Sequence, residues 1–263
     1  MLAEKRRSRL LELVRASRFA SLPELAERLH VSESTIRRDV EQLEEQGTAK
    51  RIHGGVLYAG SSPKLTHFEI QDATRWAQKK AIAELAVELI EPGDTLLLDG
   101  GSTTHEIARR LVGQRLHVVT NSLPVANLFA SDPNCDLIMI GGSVSSRLGV
   151  VMGPAADKMI ATLRVGKTIF SVAGITEEGF FNNDLLLVET EKAMMRTANE
   201  VIVVADSSKI GRQSLTHLCK LGDVHSFVVD DGISDGWKEK ISSAGVKLLV
   251  AKPNEDKEQI FES

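Results

Sequence analysis

The chain has 263 residues and a formal net charge of −4, with 42% hydrophobic and 26% charged side chains. At roughly 150 residues per domain that length suits two domains, one of them small, and the composition excludes a disordered or fibrous chain. No run approaches the roughly 18 apolar residues of a membrane span, and residues 1–9 are too charged for a secretory leader, so a cytoplasmic protein with no membrane partner is expected. The two cysteines, Cys135 and Cys219, form neither a CxxC pair nor a zinc spacing. Buried free thiols are expected, with no metal and no cofactor. The charge is unevenly spread: residues 1–60 hold eleven Lys and Arg against nine Asp and Glu. That slight basic excess leaves DNA binding open, because clustering of cations on one surface matters more than their sum.

Three helices are predicted before residue 47. The first runs from about Glu4 to Arg18, with Leu10, Leu13 and Val14 facing a core. Ser21, Pro23 and Glu24 announce the second as a capping box, and Leu22, Leu25, Ala26 and Leu29 follow at helical spacing. After the break His30-Val31-Ser32, a third helix places Ile36, Val40 and Leu43 on one face and ends at Gly47. Two helices joined so briefly form a helix-turn-helix, whose second helix can enter the major groove. On that helix Ser34, Arg37 and Arg38 lie opposite the core, while Glu41 and Glu45 farther along would be repelled by phosphate. Only the first half can therefore approach DNA, with Arg37 and Arg38 suited to guanine edges or phosphates. Residues 50–58 read as two short strands about Gly54-Gly55, a wing whose Lys50, Arg51 and His53 could touch the DNA backbone or minor groove.

Arg6, Leu10 and Val14, then Ser32-Glu33-Ser34-Thr35-Ile36-Arg37-Arg38-Asp39-Val40, then Arg51 to Gly55, resemble the N-terminal winged helix of the DeoR family of bacterial transcription regulators. The resemblance implies that the third helix reads DNA, through Ser34, Thr35, Arg37 and Arg38.

The winged helix is expected over residues 1–58 and a Gly/Ser/Pro-bearing linker over 59–71. An α/β effector-sensing domain is expected over 72–252 and a tail over 253–263. A helix from about Asp72 to Ile90 opens the larger domain. Seven apolar runs follow: Thr95 to Leu98, Leu116 to Val119, Leu137 to Ile140, Thr168 to Val172, Val201 to Val204, Phe227 to Val229 and Val246 to Val250. Such runs are strands buried on both faces, and helical segments between them imply a mostly parallel sheet flanked by helices. Ligands of such sheets bind where strands end and helices begin. There lie Asp99-Gly100-Gly101-Ser102-Thr103-Thr104, Thr120-Asn121-Ser122, Gly141-Gly142, Gly174 and Asp206-Ser207-Ser208-Lys209. Free amides at a helix start beside hydroxyls suit phosphate. Lys209 could add a point charge, and Asp99 or Asp206 could accept from sugar hydroxyls. Each of these residues could equally serve a tight turn or a cap. Lys192 follows the loop Phe180 to Asp184 on a helix, where lysines are usually exposed.

This segment also resembles the DeoR family, whose effector domain carries Asp-x-Gly-Ser/Thr-Thr, Thr-Asn-Ser, Gly-Gly and Asp-x-Ser-Lys at matching places. The resemblance implies a fold similar to ribose-phosphate isomerases and a phosphorylated sugar, or related intermediate, as effector. The expected protein is thus a sequence-specific DNA-binding regulator of a sugar-metabolism operon, most often a repressor in this family, and not an enzyme. Its partners would be double-stranded operator DNA, the effector, and further copies of itself in a dimer or tetramer. Two alternatives stand beside it. One is a sugar-phosphate isomerase or deaminase using Asp99, Glu189 or Glu191 as base; the other is a regulator sensing redox state through a nicotinamide cofactor, for which the chain lacks a GxGxxG turn.

Overall fold

The chain divides into two compact units, Met1–Trp76 and Ala77–Ser263, and the computed structural model describes residues 3–17, 19–52, 55–58 and 75–252. The linker expected over 59–71, the tail over 253–263, His53 and the start of the helix expected from Asp72 lie outside the described residues.

The smaller unit runs α1 (Ala3–Ser17), β1 (Phe19–Ser21), α2 (Leu22–Leu29), α3 (Glu33–Glu45), β2 (Ala49–Ile52) and β3 (Gly55–Tyr58). The Ser21 hydroxyl caps α2, accepting from the Glu24 N–H at 3.2 Å. The Glu24 carboxylate does not complete a capping box; it turns instead to Arg28 at 3.0 Å. His30, in the left-handed region at φ 52°, ends α2, and Ser32 caps α3 by accepting from the Thr35 N–H at 3.3 Å. Leu10, Val14, Leu25, Leu29, Ile36, Val40 and Leu43 close a core between the three helices. The short strand β1 was not expected from the sequence. It pairs with the outer side of β3, so the wing hairpin becomes a three-stranded antiparallel sheet in the order β1-β3-β2.

The larger unit places α4 (Trp76–Val87) before β4 (Thr95–Leu98), α5 (Ser102–Leu111), β5 (Leu116–Thr120), α6 (Leu123–Phe129) and β6 (Cys135–Met139). A hairpin of β7 (Ser143–Ser145) and β8 (Val150–Met152) leads to α7 (Pro154–Ala161) and β9 (Val165–Ser171). Then come β10 (Gly174–Thr176), β11 (Gly179–Asn182), α8 (Leu185–Thr197), β12 (Ala198–Val204), β13 (Thr216–Cys219), β14 (Ser226–Asp230), α9 (Asp235–Ser243) and β15 (Lys247–Ala251). Seven strands form one sheet in the order β15-β14-β12-β9-β4-β5-β6, every pair parallel.

Each of these strands contains one of the expected apolar runs or overlaps it, and the reason is burial on both faces. Leu96, Leu98, Ile169 and Ile202 pack against α4, α5 and α6. The alternate residues face the other layer: Leu97 packs with Ile160 of α7 and Met194 of α8, and Phe170 and Val203 pack with Val188 of α8 and Ile241 of α9. The segment expected as a loop at Phe180 to Asp184 is instead mostly strand. Gly179–Asn182 forms the middle of a small antiparallel sheet β10-β11-β13, and Asp184 caps α8 by accepting from the N–H groups of Leu186 and Leu187 at 3.0 and 3.2 Å.

Strand β4 enters the sheet at its middle. The chain then adds β5 and β6 outward on one side and returns to build β9, β12, β14 and β15 on the other. The direction of strand succession therefore reverses at the β4/β9 seam, the position at which open α/β sheets leave a crevice beyond the strand ends. Among the described residues no helix is long and apolar enough to cross a membrane.

Candidate functional site

In the smaller unit, Arg37 and Arg38 are both exposed on the first half of α3, on the side away from the buried Ile36 and Val40. Arg37 makes an exposed i,i+4 ion pair with Glu33 at 3.4 Å, a contact weak enough to be exchanged for a phosphate or a base. The Ser34 and Thr35 hydroxyls gather on the cap, 2.8 and 2.9 Å from the Ser32 Oγ. Lys50 and Arg51 are exposed on β2. Arg51 leans on the second half of α3: its guanidinium lies 3.6 Å from the Glu41 carboxylate and its N–H donates to Glu44 Oε1 at 3.3 Å. The acidic half of α3 thus holds the wing strand. Asp39, two residues after Arg37, is buried and receives the Arg6 guanidinium in a two-pronged ion pair, Nε to Oδ2 and Nη2 to Oδ1 at 3.1 Å. This fork ties α1 to α3, so the DNA-facing helix is held from behind by a charge pair as well as by its apolar side.

In the larger unit, the turn after β4 sits on the seam. Asp99 donates its N–H to Ile169 O at 3.0 Å, extending the β4/β9 ladder by one bond. Gly101 has φ +114°, and a Cβ there would lie 2.3 Å from Ser171 Oγ at the end of β9, so only glycine fits. Gly100 is pressed as closely from the other side: its Cβ would meet Val150 of β8 at 2.2 Å and Ser122 at 3.8 Å. The turn leads straight into α5, whose first residues Ser102, Thr103 and Thr104 are all buried. No side chain caps this helix, so its leading N–H groups and its positive dipole end have no side-chain acceptor.

The next turn is joined to the first. Thr120 Oγ1 donates to Leu98 O at 2.6 Å and accepts from the Ser122 N–H at 3.0 Å. Asn121 is locked to β8 in both directions, its side-chain Nδ2 donating to Val151 O at 3.2 Å and its backbone carbonyl accepting from the Val151 N–H at 2.7 Å. Ser122, by contrast, spends its hydroxyl on capping α6 through the Val125 N–H at 3.4 Å. Asp99, Gly101, Ser102, Thr103, Thr104, Asn121 and Ser122 therefore form one group at the ends of β4 and β5. Gly142 adjoins it through β8, since a Cβ there would touch Val151 at 3.0 Å, whereas Gly141 is open and exposed.

The remaining expected residues lie elsewhere. Gly174 opens β10, where a Cβ would strike Arg212 O at 2.3 Å; its glycine answers to backbone crowding. Asp206 and Lys209 belong to a short 3-10 turn after β12, on the far side of β9 from β4. Asp206 caps that turn by accepting from the Ser208 N–H at 3.0 Å, and Asp230 anchors it through Ser207. Glu189 is exposed and paired with Lys192 at 3.0 Å, which leaves it poorly placed as a base. Cys135 is half-buried, not buried as expected; Cys219 is buried, and burial pushes its thiol up to about 12.

Glu191 departs most from its appearance in the sequence. Although it stands between Thr190 and Lys192 on α8, it is 0% exposed and faces Asp99. Asn182 Nδ2 donates to Glu191 Oε1 at 2.6 Å and to Ser171 O at 3.3 Å, fastening α8 to the seam. Burial pushes the Asp99 carboxyl up to about 6, against the pull of the Asn121 amide, the Gly100 N–H and Glu191. The Glu191 carboxyl is held well above the usual range, first by burial and then by the charge of Asp99. The two carboxyls face each other, and burial opposes the ionisation of both. Among the described residues, Asp99 Oδ1, Thr104 Oγ1, Asn121 Oδ1 and Glu191 Oε2 are buried without a hydrogen-bond partner, an unusual concentration of unmet polar atoms. No group of three or more His, Cys, Asp or Glu among the described residues could hold a metal ion.

Comparison with known proteins matches residues 6–62 to the DeoR-like helix-turn-helix domain and residues 74–231 to the DeoR C terminal sensor domain. The HTH-type transcriptional regulator YgbI of Escherichia coli K12 is 30% identical over 253 residues, 96% of this chain and 99% of that protein. The HTH-type transcriptional repressor CsqR of the same organism is 30% identical over 95% of this chain and 96% of its own. YulB of Bacillus subtilis 168, an HTH-type transcriptional regulator, is 30% identical over 95% and 97%. Among solved structures, ribose 5-phosphate isomerase A from Methanocaldococcus jannaschii aligns with a TM-score of 0.37 and 20% identity over 50% of this chain and 53% of its own. With both family domains matched and full-length relatives at this identity, the chain belongs to the DeoR family of transcription regulators, with a helix-turn-helix unit for DNA and a sensor domain for a signal.

Proposed function

We propose that the protein is a repressor of a sugar-metabolism operon, gripping operator DNA through the first half of α3 and the wing, and that its signal is a phosphorylated sugar bound at the β4/β9 seam. The observation that carries the effector is the uncapped start of α5. There, N–H groups and the positive end of a helix dipole meet three buried hydroxyl side chains, with Thr104 Oγ1 left without a partner. A phosphate supplies the acceptors that this helix start lacks. Residues Gly101, Ser102, Thr103 and Thr104 hold the phosphate, and Asp99 and Asn121 face the rest of the ligand. Lys209, beyond β9, contributes only through its charge. The domains run as residues 1–58, a linker at 59–71, the sensor at 72–252 and a tail at 253–263, and the regulator works as a homo-oligomer on paired half-sites.

A regulator is favoured over an isomerase or deaminase, because both matched domains are those of DeoR regulators, the relatives matched over their full length are named transcriptional regulators, and the expected base Glu189 is tied up at the surface by Lys192. The test is Thr103→Glu, which puts a carboxylate where the phosphate belongs. Like-charge repulsion and lost hydrogen bonds then abolish the response to sugar phosphates, while operator binding without effector survives. A wild-type response in this variant refutes the cradle. Circular dichroism distinguishes an unfolded sensor from one locked in its liganded state, should operator binding itself be lost.

A further inference from the structure

Three unmet oxygens lie together on the Asp99 side of the proposed phosphate cradle: Asp99 Oδ1, Asn121 Oδ1 and Glu191 Oε2. They come from three separate elements, the end of β4, the end of β5 and the middle of α8, so no local turn accounts for their meeting. Each belongs to a side chain whose other polar contacts are taken up or opposed from behind. Asn121 Nδ2 is bonded to Val151 O, and Glu191 Oε1 is bonded to Asn182 Nδ2. Asp99 and Asn121 are 2% and 0% exposed, so bulk water does not meet these needs, and a buried polar group left unmet is destabilising.

We infer that Asp99, Asn121 and Glu191 form a polyol subsite, selecting an effector whose end remote from the phosphate carries neutral hydroxyls over one that ends in a carboxylate. The inference rests on the phosphate reading above. A hydroxyl both donates and accepts. It can therefore give its proton to Asp99 Oδ1, Asn121 Oδ1 or Glu191 Oε2, the acceptors that lack a donor. A carboxylate only accepts: it would set a second anion against Asp99 and an acceptor against the Asn121 carbonyl, in a site that water does not screen.

The experiment compares matched pairs of ligands on the full chain by calorimetry. The pairs are erythritol 4-phosphate with erythronate 4-phosphate, and ribitol 5-phosphate with ribonate 5-phosphate, with inorganic phosphate as the common reference. The members of each pair share the phosphate and carbon count and differ only in ending as CH₂OH or COO⁻. In at least one pair the alcohol is expected to bind about tenfold or more tightly than the acid, a gap of about 1.4 kcal/mol, and more tightly than inorganic phosphate. In Asp99→Asn/Glu191→Gln the preference shrinks to within about threefold, because the amides repel no anion and offer it donors. Equal or tighter binding of the acids to wild type overturns the polyol subsite and leaves the phosphate cradle standing. So does binding of inorganic phosphate with no gain from either polyol. Failure of all five ligands, inorganic phosphate included, overturns the cradle and the subsite with it. If the double variant does not fold, the wild-type comparison decides alone.

Discussion

Replacing Glu191 by Gln should stabilise the sensor unit, and by an amount that grows with pH. The carboxyl is fully buried and held well above its ordinary value of 4.5. Above that pH the unfolded chain releases the proton and the folded chain keeps it. The folded state then binds more protons, so stability falls as pH rises, by about 1.4 kcal/mol per unit until the folded-state value is reached. Gln matches the protonated acid in shape, retains an oxygen for the Asn182 Nδ2, and titrates nowhere. The difference in unfolding free energy between variant and wild type should therefore rise with pH above 4.5, with a limiting slope of about 1.4 kcal/mol per unit, whatever constant offset the new amide introduces. Groups remote from Glu191 shift both proteins alike and cancel in the difference; Asp99, which is coupled to it, does not, so the comparison is made in an Asp99→Asn background. Urea unfolding across that range, followed by Trp237 fluorescence in a Trp76→Phe background so that one fluorophore reports on the larger unit, measures it. A difference that stays flat with pH would refute the argument, because Glu191 would then ionise in the folded protein much as it does unfolded.

Three further substitutions probe other contacts. Arg37→Ala should weaken operator binding by about 1–3 kcal/mol where the arginine reads a base, whereas Lys50→Ala should weaken binding to all DNA alike and reduce the salt slope; unchanged operator affinity for both Arg37→Ala and Arg38→Ala rules out α3 as the reading helix. Asp39→Ala removes the buried half of the fork to Arg6 and should lower the unfolding midpoint of the smaller unit more than Arg37→Ala does, since it strips a buried acceptor from its partner instead of an exposed pair; equal midpoints would mean the fork contributes no stability. Gly101→Ala forces a Cβ onto Ser171 and a side chain into a left-handed backbone, and should cost on the order of 1–3 kcal/mol together with sugar-phosphate response; a normal midpoint with normal response would show that the turn can relax.

The sequence made most of this architecture legible, for identifiable reasons. Runs such as Val201 to Val204 are apolar at every position because helices cover both faces of the sheet, so continuity alone betrays them. The helices of the smaller unit carry their punctuation in Ser21 and Ser32. Apart from the wing hairpin, the antiparallel pieces escaped because they are short. Ser143–Ser145 and Gly174–Thr176 have three residues each, too few to establish a period of two, and β1 is likewise three residues long. At the site, Asp99, Ser102, Thr103 and Asn121 were legible from turn chemistry after apolar runs. Glu191 was named only as a possible base, because Glu189-Thr190-Glu191-Lys192 reads as a solvated helical face. Its burial comes from β11, whose Asn182 folds over α8 from a segment that the sequence presents as a loop. The link between Arg6 and Asp39 spans 33 positions, a distance over which a single sequence gives no pairing signal.

The seam between β4 and β9 also fixes when the sensor comes into being. Thr168 Oγ1 bonds to Leu97 O across 71 positions of chain, and Glu191 arrives later still. A ribosome therefore releases the whole DNA-binding unit, then β4 with its glycine turn, then β5 and β6, before any strand exists to close the other side of that turn. An emerging regulator can own a finished DNA grip while it still lacks a place for its signal. For the same reason, a ligand at the seam site proposed above would bridge two halves of the sheet made at different times. Its binding energy adds to the stability of the sensor as a whole and favours the chains that have completed their fold.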